Sequence, residues 1–327
     1  MATCLIVQPI HQAGIDRLHA VGIATRRASA SDMATVASEV GDCAAVITRN
    51  AGFDTAAIDA ARALEVIANH GVGTNRIDVA HASDLGIPIV FTPFANARST
   101  AEHAIALMLA LAKRLAHSDR AVRSGHWDYR YTPGFSELHG KVFGVVGFGT
   151  IGRIAAEIAG RGFGMRVLVF SPMALDDALA AAGAQRTGSL AQLLREADVV
   201  SLHRPARADT RHMIGAAELG MMKPGALLIN TARADLVDTA ALVRALDANH
   251  IAGAGLDVFD LEPLAPDSPL AALPDVILTP HTAGGTDEAL EQTALQCAEQ
   301  IIDVLAGRRP PCLVVPEVWE RRRPVAA

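Results

Sequence analysis

The sequence is short of cysteine, of aromatic side chains, of long apolar runs and of any large excess of one charge. Each shortage excludes something. Four cysteines, Cys4, Cys43, Cys297 and Cys312, lie scattered without C-x-x-C spacing. They read as reduced structural thiols, which excludes a disulfide framework and leaves no thiolate metal site. A net charge of -6 without a basic stripe gives no electrostatic footprint for nucleic acid, and Arg321-Arg-Arg323 reads as a solvated tail. The longest apolar stretch on an expected helix, Ala104 to Ala112, is well short of the about 20 residues a membrane span needs. The N-terminus enters a strand almost at once, with no charged leader and no cleavage site. The expectation is a soluble, cytoplasmic protein with neither nucleic acid nor membrane as partner.

Half of the 327 residues are hydrophobic while only 4% are aromatic, so the apolar content is Ala, Val, Ile and Leu. That makeup suits buried parallel strands covered by helices, in a chain long enough for two domains. In the first hundred residues, strands are expected at Leu5 to Val7, Ala44 to Thr48, Val66 to Ala68 and Ile87 to Phe91. Helices are expected at Ala13 to Val21, Thr55 to Leu64 and Ile77 to Leu85. The alternation implies a parallel sheet with right-handed crossovers. A helix from Ala101 to Leu115, apolar nearly all round, is expected to be buried between domains or at a subunit interface. The stretch from Arg123 to Leu138 reads as a polar loop, a second α/β series follows, and a helix from Thr286 to Leu305 carries the chain back. Leu313-Val-Val315 can then add to the first domain. The expected domains are residues 1–100 completed by 286–327, with residues 101–285 between them.

The chain is organised around Lys141 to Gly152. An apolar strand, Val142 to Val146, leads into Gly147, Gly149 and Gly152 in G-x-G-x-x-G spacing, and Ile151 to Ala159 reads as the next helix. In that setting the first glycine permits a tight turn, the second admits a pyrophosphate, and the third lets helix pack on strand. The motif indicates NAD or NADP without choosing between them. About 20 positions on, a carboxylate normally takes the ribose hydroxyls. Here the strand Met165 to Phe170 is followed by Ser171, which neither repels a 2′-phosphate nor attracts one.

Later strands end on chemistry. Val199 to Leu202 precedes His203-Arg-Pro205, and Ala226 to Ile229 precedes Asn230-Thr-Ala-Arg233. Gly253 to Leu256 precedes Asp257 with Glu262 beyond, and Val276 to Leu278 precedes Thr279-Pro-His281. Residues just past the carboxyl ends of such strands line the ligand crevice, so Arg233, Glu262 and His281 are candidates to converge there. The set suits hydride transfer between a nicotinamide and a small 2-hydroxy or 2-keto acid. Histidine moves the hydroxyl proton, the carboxylate steadies its protonated ring, and arginine grips the substrate carboxylate. Two earlier loops remain open in meaning. His70-Gly71-Val72-Gly73 binds a small anion through its amides or is an ordinary glycine turn; Arg49 reads a distal anionic group or is solvated.

These motifs, nearly end to end, resemble the D-isomer-specific 2-hydroxyacid dehydrogenase family. The matching runs are Val146-Gly-Phe-Gly-Thr-Ile-Gly152, Leu202-His-Arg-Pro205 with Thr210, Asn230-Thr-Ala-Arg-Ala-Asp-Leu-Val-Asp238, Gly255-Leu-Asp-Val-Phe-Asp-Leu-Glu-Pro263 and Thr279-Pro-His-Thr-Ala-Gly284. Gly71-Val-Gly73, Asn96, Ser99 and Ala101-Glu-His103 fit in the first half. The resemblance implies a Rossmann-type doubly wound parallel sheet inserted in a flavodoxin-like α/β substrate domain, and a homodimer joined through the cofactor domain. It implies that Arg233 grips substrate, His281 is the acid/base and Glu262 its partner. Gly71, Val72 and Gly73 would present amides to the substrate carboxylate near Asn96 and Ser99, with Arg49 a second anion contact. Gly147, Gly149, Thr150, Ile151, Gly152, Ser171, His203, Pro205, Thr210, Thr231, Ala232, Asp257 and Gly284 would lie along the cofactor.

Ser171 departs from the Asp of NAD-preferring members, and the arginines of NADP-preferring members are absent too. The chain stops soon after the first domain is completed, so no C-terminal regulatory domain is expected. The expected activity is that of a hydroxypyruvate/glyoxylate reductase, with D-3-phosphoglycerate dehydrogenase or a nicotinamide-sensing binding protein of the same fold as alternatives. Formate dehydrogenase usually has Gln at the position of Glu262, and L-lactate and malate dehydrogenases carry their glycine motif near the N-terminus.

Overall fold

A computed structural model describes residues 2–323 of the chain. Residues 324–327, the end of the expected completing segment, lie outside the described residues. The chain forms two compact units, Met1–Asn96 with Gly285–Ala327, and Ala97–Gly284. The helix Ala97–Ala112 belongs whole to the second unit, so the chain crosses at Asn96.

In the first unit, β1 (Thr3–Ile6), β2 (Ala24–Arg27), β3 (Ala45–Thr48), β4 (Val66–Asn69) and β5 (Ile89–Phe91) form a parallel sheet in the order β2-β1-β3-β4-β5. That is the flavodoxin-like doubly wound order. β3 and β4 are buried throughout, as a strand covered on both faces must be. The returning helix Asp287–Leu305 starts on a Thr286 cap, whose hydroxyl accepts from the Ala289 amide. It buries Cys297, Ala298 and Ile301 in the same core as Ala68 and Val90. Leu313 makes an isolated antiparallel bridge to Val90.

β2 and the helix Met33–Glu39 were not expected. β2 is an edge strand of sequence Ala-Thr-Arg-Arg whose last two residues are exposed, so it carries no apolar period. The expected helix from Thr55 to Leu64 stops at Ala60.

The second unit holds β6 (Val142–Val146), β7 (Arg166–Phe170), β8 (Ala184–Arg186), β9 (Val199–Leu202), β10 (Leu227–Asn230), β11 (Gly253–Leu256) and β12 (Val276–Leu278). Their order, β12-β11-β10-β9-β6-β7-β8, is the Rossmann order with one added strand. All its pairings are parallel. Two apolar layers cover the sheet, one built on Leu168, Val200, Leu228 and Leu256, the other on Phe143, Val145, Val167 and Ile229.

The helix Ala97–Ala112 packs within its own unit, where Ala104, Leu107 and Met108 join the second of those layers. A methyl group at Gly255 of β11 would stand 2.9 Å from Leu107 Cβ, which measures how closely helix and sheet approach. The helix also ends earlier than expected. Arg114 takes a left-handed conformation, φ 47°, and a second helix, Leu115–Arg123, begins beyond it. Among the described residues no helix is long and apolar enough to cross a membrane.

Candidate active site

The glycine-rich turn shows why each glycine is there. Gly147 has φ +97°, a region L side chains rarely adopt, and a Cβ on it would stand 2.6 Å from the His203 carbonyl oxygen. A Cβ on Gly152 would stand 2.2 Å from the Gly147 carbonyl oxygen. Gly149 differs: a Cβ there meets nothing within 4 Å. The first and third glycines are closed by protein, while the second faces open space at the N-terminus of the helix Thr150–Glu157. At the end of β10, the Thr231 hydroxyl is buried without a hydrogen-bond partner. A cradle at Gly149 beside a helix N-terminus, with an unsatisfied buried hydroxyl in the same unit, fits a dinucleotide.

Other expected cofactor residues divide by what holds them. His203 leaves β9 with its amide on the Val146 carbonyl and its Nε2 2.9 Å from the Ser201 hydroxyl. Burial pushes its pKa down to about 4, so the ring is neutral. The buried Thr210 hydroxyl donates to the Pro205 carbonyl (2.9 Å) and accepts from the Arg207 amide (2.8 Å), so it holds the 205–210 loop in shape. The Ala232 amide donates to the Asn230 side chain at 3.0 Å. Ile151 is half-buried against the apolar layer beneath the turn, and Pro205 is exposed. Ser171 follows β7 directly, and its carbonyl accepts from Arg186 at 3.1 Å.

Glu262 and His281, 19 positions apart in the chain, form a hydrogen-bonded pair. The histidine Nδ1 lies 3.1 and 3.0 Å from the two carboxylate oxygens. An ionised carboxylate only accepts, so Nδ1 carries the proton and Nε2 is the ring nitrogen Glu262 leaves unengaged. The carboxylate is fixed in turn by the Phe259 amide at 3.2 Å. Side-chain exposures of 33% for His281 and 18% for Glu262 leave the pair reachable but shielded. Arg233 follows β10 in extended backbone, half-buried, with one guanidinium nitrogen on the Ala232 carbonyl and its own carbonyl held by the Asn230 side chain at 2.8 Å.

Asp257 is fully buried and organises the loop that carries His281. One oxygen accepts from the Thr279 hydroxyl (2.6 Å) and the Thr282 amide (2.8 Å), the other from the Ala283 amide (2.9 Å). His103 adds a ring nitrogen 3.0 Å from the Thr279 hydroxyl. Ser99, expected near the substrate, is buried and donates to the Ala283 carbonyl at 2.7 Å. It braces the segment leading to Gly284 from the same unit. His281 itself sits at φ 54°, in the left-handed region.

Arg49, Gly71, Val72, Gly73 and Asn96 belong to the first unit. Asn69, at the end of β4, donates its side-chain amide to the carbonyls of Gly71 (2.9 Å) and Gly73 (3.1 Å). Gly71's own amide donates back to the Asn69 carbonyl at 2.9 Å, so the amides the loop can offer an anion are those of Val72 and Gly73. Arg49 donates to the Pro9 carbonyl at 2.7 Å, and burial lowers its pKa. The neighbouring His70 has a buried Nε2 without a partner; burial, then the charge of Arg49, push its pKa down to about 4. Asn96 is half-buried at the end of this unit.

Sequence reasoning missed Asn69, His103 and Arg186. His103 stood inside a matched run, but its partner Thr279 is 176 positions away. Among the described residues no group of three or more His, Cys, Asp or Glu side chains could hold a metal ion.

Residues 105–283 match the family model described as "D-isomer specific 2-hydroxyacid dehydrogenase, NAD binding domain". The chain is 40% identical over 294 residues to the glyoxylate reductase of Korarchaeum cryptofilum, covering 88% of each protein. It is 36% identical over 306 residues to the D-3-phosphoglycerate dehydrogenase of Archaeoglobus fulgidus, covering 93% of this chain and 57% of that one. Among solved structures, the NADPH-dependent glyoxylate/hydroxypyruvate reductase of Sinorhizobium meliloti in complex with NADP and malonate superposes with a TM-score of 0.86 at 27% identity over 99% of both chains.

Proposed function

Because this chain belongs to the D-isomer specific 2-hydroxyacid dehydrogenase family, and so is an NAD(P)-dependent oxidoreductase, we propose that it reduces a small 2-keto acid, glyoxylate or hydroxypyruvate, to the 2-hydroxy acid. The observation that carries the reading is the Glu262 to His281 hydrogen bond at the ends of β11 and β12, in the unit that holds the dinucleotide cradle. Relatives named glyoxylate reductase at about 40% identity support the substrate class.

In this reading Gly147, Gly149 and Gly152, with Thr150, Thr231 and the neutral His203, hold the dinucleotide. The hydride is what a bound reduced nicotinamide supplies. Arg233 grips the substrate carboxylate at two points and draws electron density toward the carbonyl oxygen. Protonated His281 gives its Nε2 proton to that oxygen as the alkoxide forms, and Glu262, on Nδ1, orients the ring and offsets its positive charge. Run backward, neutral His281 takes the hydroxyl proton. Within the first unit, the Val72 and Gly73 amides form a cradle for a small anion, the role expected of a substrate domain. Free, mostly buried thiols accord with a reducing cytoplasm.

A homodimer is part of the proposal. In the segment 115–135, Leu115, Val122, Trp127, Tyr131 and Phe135 are all exposed by 45% or more, apolar side chains that a second copy of the chain would cover.

The test is the initial rate of NADH and NADPH oxidation with glyoxylate, hydroxypyruvate, pyruvate and 3-phosphohydroxypyruvate at equal concentration. Glyoxylate or hydroxypyruvate should lead. A lead for 3-phosphohydroxypyruvate would move the substrate to the phosphorylated acid, and binding of dinucleotide without turnover of any acid would make the protein a sensor.

A further inference from the structure

The end of β7 faces the adenosine ribose in a Rossmann fold, and the side chain there sorts NAD from NADP. Here that residue is Ser171, which carries no charge. A charge stands close by on the neighbouring edge strand. β8 pairs with β7 so that Arg186, its last residue, lies level with Val169. From there the guanidinium reaches forward to the loop after β7. Nη1 donates to the Ser171 carbonyl at 3.1 Å, and Nη2 donates to the Ala174 carbonyl and lies 2.7 Å from the Asp176 carboxylate. A fixed positive charge therefore stands within one hydrogen bond of the residue that reads the ribose.

Asp176 does not act as the missing NAD-selecting carboxylate. It lies in the first turn of the helix Asp176–Ala181, five positions past Ser171, and its charge is taken up by Arg186. That pair is also easy to exchange. The Asp176 side chain is 89% exposed and the Arg186 side chain 37%, so the ion pair contributes little and water already competes for it. A phosphomonoester brings about two negative charges and three acceptor oxygens, and a guanidinium binds it in a forked geometry an exposed monocarboxylate does not match.

We infer that Arg186 reads the 2′-phosphate of the dinucleotide, and that this chain therefore binds NADPH in preference to NADH. Ser171 leaves room and no repulsion, and Arg186 gives up Asp176 for the phosphate while keeping the Ser171 carbonyl. The inference rests on the dinucleotide reading of the glycine-rich turn.

The experiment is calorimetric titration of the wild type, R186Q and S171D with NADPH and with NADH, in the absence of any 2-keto acid. The wild type should bind NADPH at least about tenfold more tightly. R186Q should weaken NADPH by about tenfold or more and leave NADH within about twofold, and raising the salt concentration should narrow the wild-type difference. S171D, which puts a carboxylate where the phosphate would lie, should reverse the preference. Equal weakening of both dinucleotides by R186Q would mean that Arg186 only anchors the loop, and would overturn the inference. A wild type that prefers NADH would overturn it as well. Failure of the wild type to bind either dinucleotide would overturn the cofactor reading itself, a result distinguishable from the other two.

Discussion

His281 pairs an uncommon backbone with the acid/base role proposed for it. A non-glycine residue at φ 54° carries strain on the order of 1 kcal/mol or more, and it persists only where surrounding bonds over-determine the loop. Asp257 supplies those bonds, three of them to residues on either side of His281, from a fully buried position. One carboxylate thus fixes the loop on either side of His281, and another, Glu262, holds its ring at Nδ1. His203 illustrates a different residue-scale effect. Its pKa falls from 6.5 to about 4 because burial disfavours the charged ring. Between those values the unfolded chain takes up a proton that the folded chain does not, so the stability present above pH 6.5 is lost as pH falls toward 4. The loss amounts to at most about 3 kcal/mol. Chemical denaturation at pH 7 and pH 5 should show the fall, and an H203Q variant should show a shallower one.

At the scale of elements, the glycine-rich turn separates folding from binding. Gly152→Ala forces a methyl group into the Gly147 carbonyl and should destabilise the unit by about 2 kcal/mol or more. Gly149→Ala places the methyl in open space at negative φ, so it should leave the melting temperature nearly unchanged while weakening dinucleotide affinity by about tenfold or more. Thermal melts and calorimetric titration of the two variants check both statements. The turn was legible in the sequence because an apolar strand, three spaced glycines and a helix follow each other without interruption. β6, β9 and β11 were legible to the residue for the same reason: buried parallel strands read as short apolar runs, and β12, a half-buried edge strand, kept an apolar run as well. The polar edge strands β2 and β8 have no such run. With β8 went Arg186, whose meaning depends on the register of a strand the apolar pattern could not reveal. The break at Arg114 was hidden because an arginine gives no sign of a left-handed backbone. Long-range partners such as His103 with Thr279 were beyond any local pattern.

For the whole molecule, the exposed apolar side chains between Leu115 and Phe135 call for a partner surface. A second copy of the chain is the proposed partner. Light scattering after size exclusion should give the mass of a dimer for the wild type, and V122D with W127D should give a monomer of about half that mass. A wild-type monomer would remove the dimer from the proposal and leave the catalytic reading intact.

The catalytic reading depends most directly on His281. The measurement is kcat for hydroxypyruvate and glyoxylate reduction by H281A beside the wild type, with dinucleotide affinity determined on the same preparations. Loss of the acid should lower kcat by about 100-fold to 10,000-fold while dinucleotide binding stays unchanged. An H281A enzyme that turns over at the wild-type rate would show that the proton moves through another group, and the assignment of Glu262 and His281 as the acid/base pair would be wrong.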